Sequence, residues 1–412
     1  MKETRLFAHL ERPAAQPPSW REIFSDFDLG YIAHGFIGCL FAASAPIAVV
    51  LAVGTKGGLS EAELASWIFG IFFFNGLVTI FYSWFYRQPL SFFWTIPGTV
   101  LVGPALQHLT FPQVIGAFYV TSLLILALGS TDWTRRAMKL IPMPIVMGMV
   151  AGVFLRFGQD LVRALHADVA IALPMTLVWL GLSASPRLAR VLPPIIGALA
   201  VGAVLVLTLG RLDLAALGGL QLAHPLIQAP QFSLAALTEL VIPLAVTVLV
   251  VQNGQGFAVL RSVGHEPPVN AVTLACGIGA LFSAVVGGVS TCLTGPTNAI
   301  LVSSGIPRRQ YTAGIAVGLF AVLFGLLSPV VTRFMLAAPK AFVMTLAGLA
   351  MLRVLQAAFV GAFKERFSLG GLVALLVTTA DIGLFNIGAA FWGLVAGYLV
   401  SRVLERADFA AA

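Results

Sequence analysis

Fourteen apolar runs, each about long enough to cross a bilayer, follow one another along this chain with short polar connections. They fall at 29–53, 62–84, 90–107, 112–130, 139–159, 168–184 and 191–209. After a polar, proline-containing connection they resume at 236–257, 268–286, 289–304, 309–330, 340–360, 367–385 and 388–404. A helical crossing needs roughly 17–25 apolar residues. Of the 412 residues, 59% are hydrophobic and only 10% are Asp, Glu, Lys or Arg, where a soluble domain carries about 25% charged residues. A soluble fold could not hide that much apolar surface. The pattern predicts an all-α polytopic membrane protein with about 14 transmembrane segments and no long soluble domain.

Charge orients this arrangement. The formal net charge is +7, but the basic residues sit in short clusters between apolar runs, as the positive-inside rule predicts. That placement argues against a nucleic-acid partner. With the N-terminus cytoplasmic, the opposite side holds only Lys56, Arg163, Arg211, Arg333 and Lys340, while Arg156 and Arg353 fall within spans. Both termini are therefore expected on the cytoplasmic side of a bacterial-type inner membrane. Residues 1–28 are polar, carry Pro13, Pro17 and Pro18, and lack the features of a signal peptide. They read as a cytoplasmic tail with a short surface helix around 20–27. Cys39, Cys276 and Cys292 all lie in apolar runs. An odd number of such thiols gives no disulfide framework and no metal spacing, so no metal or cofactor is expected.

Seven spans per half is an odd number, so a second half built like the first must be inserted upside down. Two segments support such a repeat. Span 3 reads Ser91-Phe-Phe-Trp-Thr-Ile-Pro97-Gly98 and span 10 reads Val289-Ser-Thr-Cys-Leu-Thr294-Gly295-Pro296. Both are short, with an extended-looking stretch, a Pro/Gly break and a short helical run. Helix cannot run unbroken through Pro97 or Pro296, and the residue before proline is pushed towards extended structure. Unpaired backbone cannot face lipid, so two short strands are expected to pair near the bilayer centre, each followed by a half-helix. Matching interruptions in two halves mark the binding site of an inverted-repeat transporter. Half-helix N-termini offer N–H groups and partial positive charge to an anion. Thr99 and Thr294 would add hydroxyls, and Asn298 an amide.

Span 8 holds the other polar cluster, Gln252-Asn253-Gly254-Gln255-Gly256. Three amides in a membrane helix are costly unless they face a cavity or a partner helix, and Gln252 and Gln255 are spaced to share a face. Among ionisable residues, Asp381 and His34 are candidates for proton coupling. Arg156 and Asp160 are spaced to pair on one helix face, and Glu239 is expected at the interface. Neither HExxH, GxxxxGK[ST] nor GxSxG occurs, so nothing points to an enzyme or an ATP-driven pump.

The chain resembles the benzoate:proton symporter (BenE) family. The matching stretches are Ala65-Ser66-Trp67-Ile68, Tyr86-Arg87-Gln88-Pro89 with Trp94-Thr-Ile-Pro97-Gly98, Gln252-Asn253 with Ala258-Val259-Leu260, Thr294-Gly295-Pro296, and Ile387-Gly-Ala-Ala-Phe-Trp392-Gly-Leu-Val-Ala-Gly397. The resemblance implies a seven-plus-seven inverted repeat working as an elevator. A core domain would comprise residues 29–130 and 236–330, and a gate domain, often used for homodimerisation, residues 131–210 and 340–404. It also implies substrate contacts at Thr95, Gly98, Thr99, Gln252, Asn253, Gln255, Thr294, Gly295, Thr297 and Asn298. The expected function is proton-coupled uptake of a small organic anion such as benzoate, with Phe93, Trp94 or Phe257 packing on a ring. A nucleobase-like substrate and an uncoupled anion channel or facilitator are the alternatives.

Overall fold

The computed structural model describes residues 10–131, 133–134, 142–211, 219–364, 366–382, 384 and 389–410. Lys2, Arg5, Arg135, Arg136 and Lys139 of the charge pattern, and Ile387 and Gly388 of the last family stretch, lie outside the described residues.

The described chain is dominated by helices. A surface helix, α1 (Trp20–Asp26), is closed by a Ser19/Glu22 capping box. There follow α2 (Leu29–Ala43), α3 (Ala45–Lys56), α4 (Glu61–Tyr86), strand β1 (Phe92–Trp94), α5 (Ile96–Ala105) and α6 (Phe111–Ser130). Next come α7 (Met143–Ala167), α8 (Val169–Ala184), α9 (Pro186–Val191) and α10 (Pro194–Thr208). The later part holds α11 (Leu234–Val246), a π-helical turn (Thr247–Gln252), α12 (Asn253–Ser262), α13 (Val269–Val285), strand β2 (Thr291–Leu293) and α14 (Gly295–Leu301). It ends with α15 (Gln310–Leu326), α16 (Ser328–Ala337), α17 (Lys340–Phe363), α18 (Ser368–Ala380), α19 (Ala389–Leu404) and α20 (Arg406–Ala410).

Seven helical stretches among the described residues are long and apolar enough to cross a membrane: Leu29–Lys56, Glu61–Tyr86, Phe111–Ser130, Met143–Ala167, Leu234–Ser262, Pro307–Leu326 and Lys340–Phe363. Six shorter apolar helices, including α5, α13 and α19, accompany them. Large apolar side chains such as Leu77, Phe81, Leu123, Leu180, Leu319 and Leu376 stay exposed on the outer faces, as helices solvated by lipid require.

Two of the expected runs are not single continuous helices. The first apolar run is broken at Ser44, whose ψ of −105° is non-helical, and Pro46 sits in the first turn of α3. Proline suits that place because no helical hydrogen bond needs its missing N–H. The run at 309–330 ends as helix at Leu326, and a separate helix, α16, starts at Ser328 with Pro329 in its first turn. Pro174, by contrast, lies inside α8 without ending it.

Glycine sets the closest helix crossings. A Cβ on Gly76 of α4 would sit 2.7 Å from the Gly318 carbonyl of α15, and one on Gly318 would sit 2.7 Å from the Gly76 carbonyl. Gly129 of α6 meets Leu274 of α13, and Gly277 of α13 meets Leu126 of α6. Small residues at both faces let the backbones approach, which is how helices gain packing energy in lipid. The second set of helices is built the same way: α17 and α18 both lie along α7, and a Cβ on Gly148 of α7 would fall 2.0 Å from the Gly371 carbonyl of α18.

Candidate functional site

The two strands pair antiparallel, with Phe92 opposite Leu293, Phe93 opposite Cys292 and Trp94 opposite Thr291. The Thr95 N–H donates to the Ser290 carbonyl (3.0 Å) and the Thr294 N–H to the Ser91 carbonyl (3.1 Å). A two-stranded ribbon has two open edges, and buried edge groups must find partners. Side chains provide them. The Phe92 N–H donates to Thr79 Oγ1 of α4 (2.8 Å). The Leu293 N–H donates to Asn253 Oδ1 of α12 (2.8 Å). The Ser91 N–H donates to Asn298 Oδ1 (3.1 Å), and Asn298 Nδ2 donates to the Thr294 carbonyl (2.6 Å) and the Ser91 carbonyl (3.3 Å).

Both half-helices start where the prolines demand. In α5 the cap is Thr95, whose hydroxyl accepts from the Gly98 N–H (3.1 Å) and donates to Thr247 Oγ1 of the π-helical turn (3.0 Å). In α14 the cap residue is Thr294, which makes no side-chain cap hydrogen bond.

Beside this crossing lies a small cavity of about 20 Å³, lined by Phe41, Ala42, Pro46, Phe93, Trp94, Ile96, Gln252, Thr294, Pro296 and Thr297. Its walls are aromatic and aliphatic, with one amide and two hydroxyls. Trp94 is 1% exposed, and its indole N–H has no hydrogen-bond partner. A buried donor left unpaired is costly, so a donor here is suited to an incoming acceptor. The volume holds a water rather than a ring, since a cavity that takes benzene measures about 150 Å³. A larger ligand therefore requires the walls to part.

Of the residues expected at the site, Phe93, Trp94, Gln252, Thr294 and Thr297 line this cavity. The others do not. Asn253 and Asn298, both fully buried, serve the strand edges. Thr95 caps α5, and the Thr99 hydroxyl donates to the Thr95 carbonyl (3.0 Å). A Cβ on Gly98 would lie 2.4 Å from Thr95 Cγ2 and one on Gly295 2.8 Å from Gln255 Cβ, so both glycines mark tight packing, and Gln255 packs on Gly295 instead of sharing a cavity face with Gln252. Phe257 is buried near Arg261. His34 Nδ1 contacts the Gly30 carbonyl of its own helix (2.7 Å). Phe41, Ala42 and Pro46 were not anticipated; the Ser44-Ala45-Pro46 step was the signal that the first run breaks beside the site.

One ionisable expectation is also overturned. Arg156 pairs with Asp381 rather than Asp160, which pairs with Arg163 (2.8 Å). Glu239, near the start of its span, is buried: it is 4% exposed and its Oε2 lies 2.8 Å from His108 Nε2. Arg156, Asp381 and Glu239 line a second cavity of about 50 Å³ with Val100, Leu101, Pro104, Gly152 and Phe391.

The family described as "Benzoate membrane transport protein" matches residues 25–403. This chain belongs to the BenE family. It is 31% identical over 376 residues to the inner membrane protein YdcO of Escherichia coli (strain K12), a match covering 90% of this chain and 95% of that one. It is 27% identical over 384 residues to the benzoate membrane transport protein of Acinetobacter baylyi (strain ATCC 33305 / BD413 / ADP1), covering 92% and 96%. Among solved structures, SLC26A9 superposes with a TM-score of 0.64 at 13% identity, over 92% of this chain and 66% of that one. The transmembrane domain of the cyanobacterial bicarbonate transporter BicA gives 0.62 at 17% identity, over 93% and 99%. These two likenesses establish the fold. The BenE chain described here is thus a multi-pass inner membrane transporter and not an enzyme.

Proposed function

We propose that this protein is a proton-coupled symporter of small aromatic carboxylates, with benzoate the first candidate. The observation that carries this reading is a cavity lined by Phe41, Phe93 and Trp94, together with the buried indole N–H of Trp94, which has no partner. An aromatic acid needs apolar contact for its ring and donors for its carboxylate. Trp94, Gln252 and Thr297 offer donors on the same lining, while the Thr294 hydroxyl donates to the Ser91 carbonyl (3.3 Å). The A. baylyi relative, a benzoate transport protein by name, agrees with that chemistry. A nucleobase needs several amides in one place, and only Gln252 of the three in span 8 lines the cavity.

The architecture proposed with this function is fourteen segments in two inverted repeats, both termini cytoplasmic. The reciprocal glycine crossings of α4 with α15 and of α6 with α13 support it. Under a seven-span repeat, spans 2 and 11 exchange places with spans 9 and 4, so each crossing is the image of the other. Residues 29–130 and 236–330 form the core that carries substrate; residues 131–210 and 340–404 form the gate, through which two copies associate. Transport is then an elevator movement of core against gate.

Purified protein in liposomes should accumulate benzoate under an inward proton gradient. Trp94→Phe keeps the ring and removes the N–H. A hydrogen bond to a charged group contributes about 1.5–3 kcal/mol, so benzoate affinity should fall roughly 10- to 150-fold. The melting temperature without ligand should hold. Unaltered affinity would remove Trp94 from the site. Absence of carboxylate flux under any gradient would overturn the function, and flux indifferent to pH would favour an uncoupled facilitator.

A further inference from the structure

A proton-coupled carrier needs a group that takes up and releases a proton, and the cavity beside the strands supplies none: its lining is aromatic, aliphatic, amide and hydroxyl. Two carboxylates are buried among the described residues, Asp26 and Glu239. Asp26 lies in α1, outside the apolar spans, and accepts from Tyr311 Oη (2.9 Å) and Arg309 Nε (3.1 Å). Glu239 lies inside the 29-residue apolar stretch Leu234–Ser262.

We propose that Glu239, positioned by His108, carries the coupled proton. This inference rests on the proton-coupled reading above. A buried carboxylate in an apolar span is tolerated only when it is paired or neutral, and its surroundings let either state prevail. Glu239 Oε2 meets His108 Nε2 at 2.8 Å, and the carboxylate lines one cavity with Arg156 of α7 and with Asp381, which is ion-paired to Arg156. Among the described residues, the elements packed on α11 bring these further titratable groups. The π-helical turn and α5 bring no titratable side chain, α6 brings Tyr119, and α19 brings Tyr398 and Arg402 nearer its far end.

The geometry links this group to the site. The N-terminal cap of α5, Thr95, bonds to Thr247 directly after α11, and His108, just beyond α5, bonds to Glu239 within α11. The half-helix beside the cavity is thus tied to α11 at both ends. Arg156 belongs to the proposed gate and Glu239 to the proposed core. With core and gate closed on each other here, Arg156 favours the carboxylate. Movement of the core takes Glu239 away from that charge, and losing a neighbouring cation raises a carboxyl group's proton affinity. Glu239 then takes a proton from solvent, and it returns a proton to solvent when Arg156 is met again.

The test uses the full chain in liposomes with radiolabelled benzoate and an internal pH dye. Under an inward proton gradient the wild type should concentrate benzoate and acidify the lumen. Glu239→Gln should exchange benzoate at equal pH on both sides yet show at least tenfold less accumulation and no acidification. His108→Gln should keep accumulation with a displaced pH profile. Coupled accumulation by Glu239→Gln at the wild-type level overturns the inference. If Glu239→Gln does not yield folded protein, an unaltered pH profile in both Glu239→Asp and His108→Gln overturns it instead. A wild type that moves benzoate without protons refutes the coupled reading and this inference together, while a proton-coupled wild type with a coupled Glu239→Gln refutes this inference alone.

Discussion

The two broken segments share a backbone plan and differ in chemistry. Each has a three-residue strand, a threonine at the cap and a proline in the first helical turn. In the first, Thr95 turns inwards: its hydroxyl caps Gly98 and bonds Thr247, so it is fully committed to the protein. In the second, Thr294 leaves α14 without a side-chain cap, donates its hydroxyl to the Ser91 carbonyl of the first segment (3.3 Å) and lines the cavity with Thr297. The first segment contributes Phe93 and Trp94 to the same cavity. Repetition of the fold therefore gives two half-helices, while the ligand chemistry is divided: rings and an indole N–H from one side, hydroxyls from the other.

The largest effect expected from disturbing this comparison is at Asn298. Its amide holds the Ser91 N–H and two carbonyls at the point where both segments meet. Asn298→Ala strands a buried N–H, at a cost of about 1–3 kcal/mol for that group. Thermal melting in detergent should fall accordingly, whereas Gln252→Ala, which removes an amide from the cavity lining, should leave melting near wild type and weaken benzoate binding. Equal melting for both variants would show that Asn298 does not hold the crossing together.

One threonine from each segment gives a smaller and more discriminating effect. Thr95→Val removes a cap, a loss of about 1 kcal/mol in stability, and should hardly change affinity. Thr297→Val, on the second segment, should leave melting near wild type and lower benzoate affinity about 2- to 12-fold, the equivalent of one ordinary hydrogen bond of 0.5–1.5 kcal/mol. Isothermal titration beside melting curves separates the two. The opposite pattern would place the polar side of the site on the first segment.

Much of this was legible in the sequence. The breaks at Pro97 and Pro296 predict paired strands and half-helices because proline removes a donor wherever it stands. Which amide of span 8 serves the backbone is not legible, because Gln252 and Asn253 are neighbours and only the placement of β2 decides that Asn253 reaches Leu293. The break at Ser44 had a local signal in Pro46, but the apolar residues on both sides read as one continuous run. Nor is it legible that Glu239, near a span end, is buried against His108, 131 positions away in sequence. Pairings at such separation leave no local pattern.

The turns that lead into the two strands differ as well, and they set the smallest effect. Before β2 the chain turns at Gly287, with φ of 90°, a conformation glycine adopts freely. Before β1 it turns at Arg87, with φ of 49°, which a side chain makes unfavourable. Arg87 is held by an ion pair to Glu22 of α1 (2.9 Å). The Ser19 backbone N–H and Arg87 bring the Glu22 carboxyl down to about 2 from an ordinary 4.5. A carboxyl lowered on folding stabilises the fold above its unfolded value, and that contribution is lost as pH falls from about 4.5 towards 2. Glu22→Gln should therefore melt slightly below wild type at pH 7, with the gap closing as the buffer is taken to pH 3. The pair is exposed, so the gap should also shrink in high salt. A gap that holds constant with pH would mean that Glu22 acts through its capping geometry and that Arg87 keeps its turn without it.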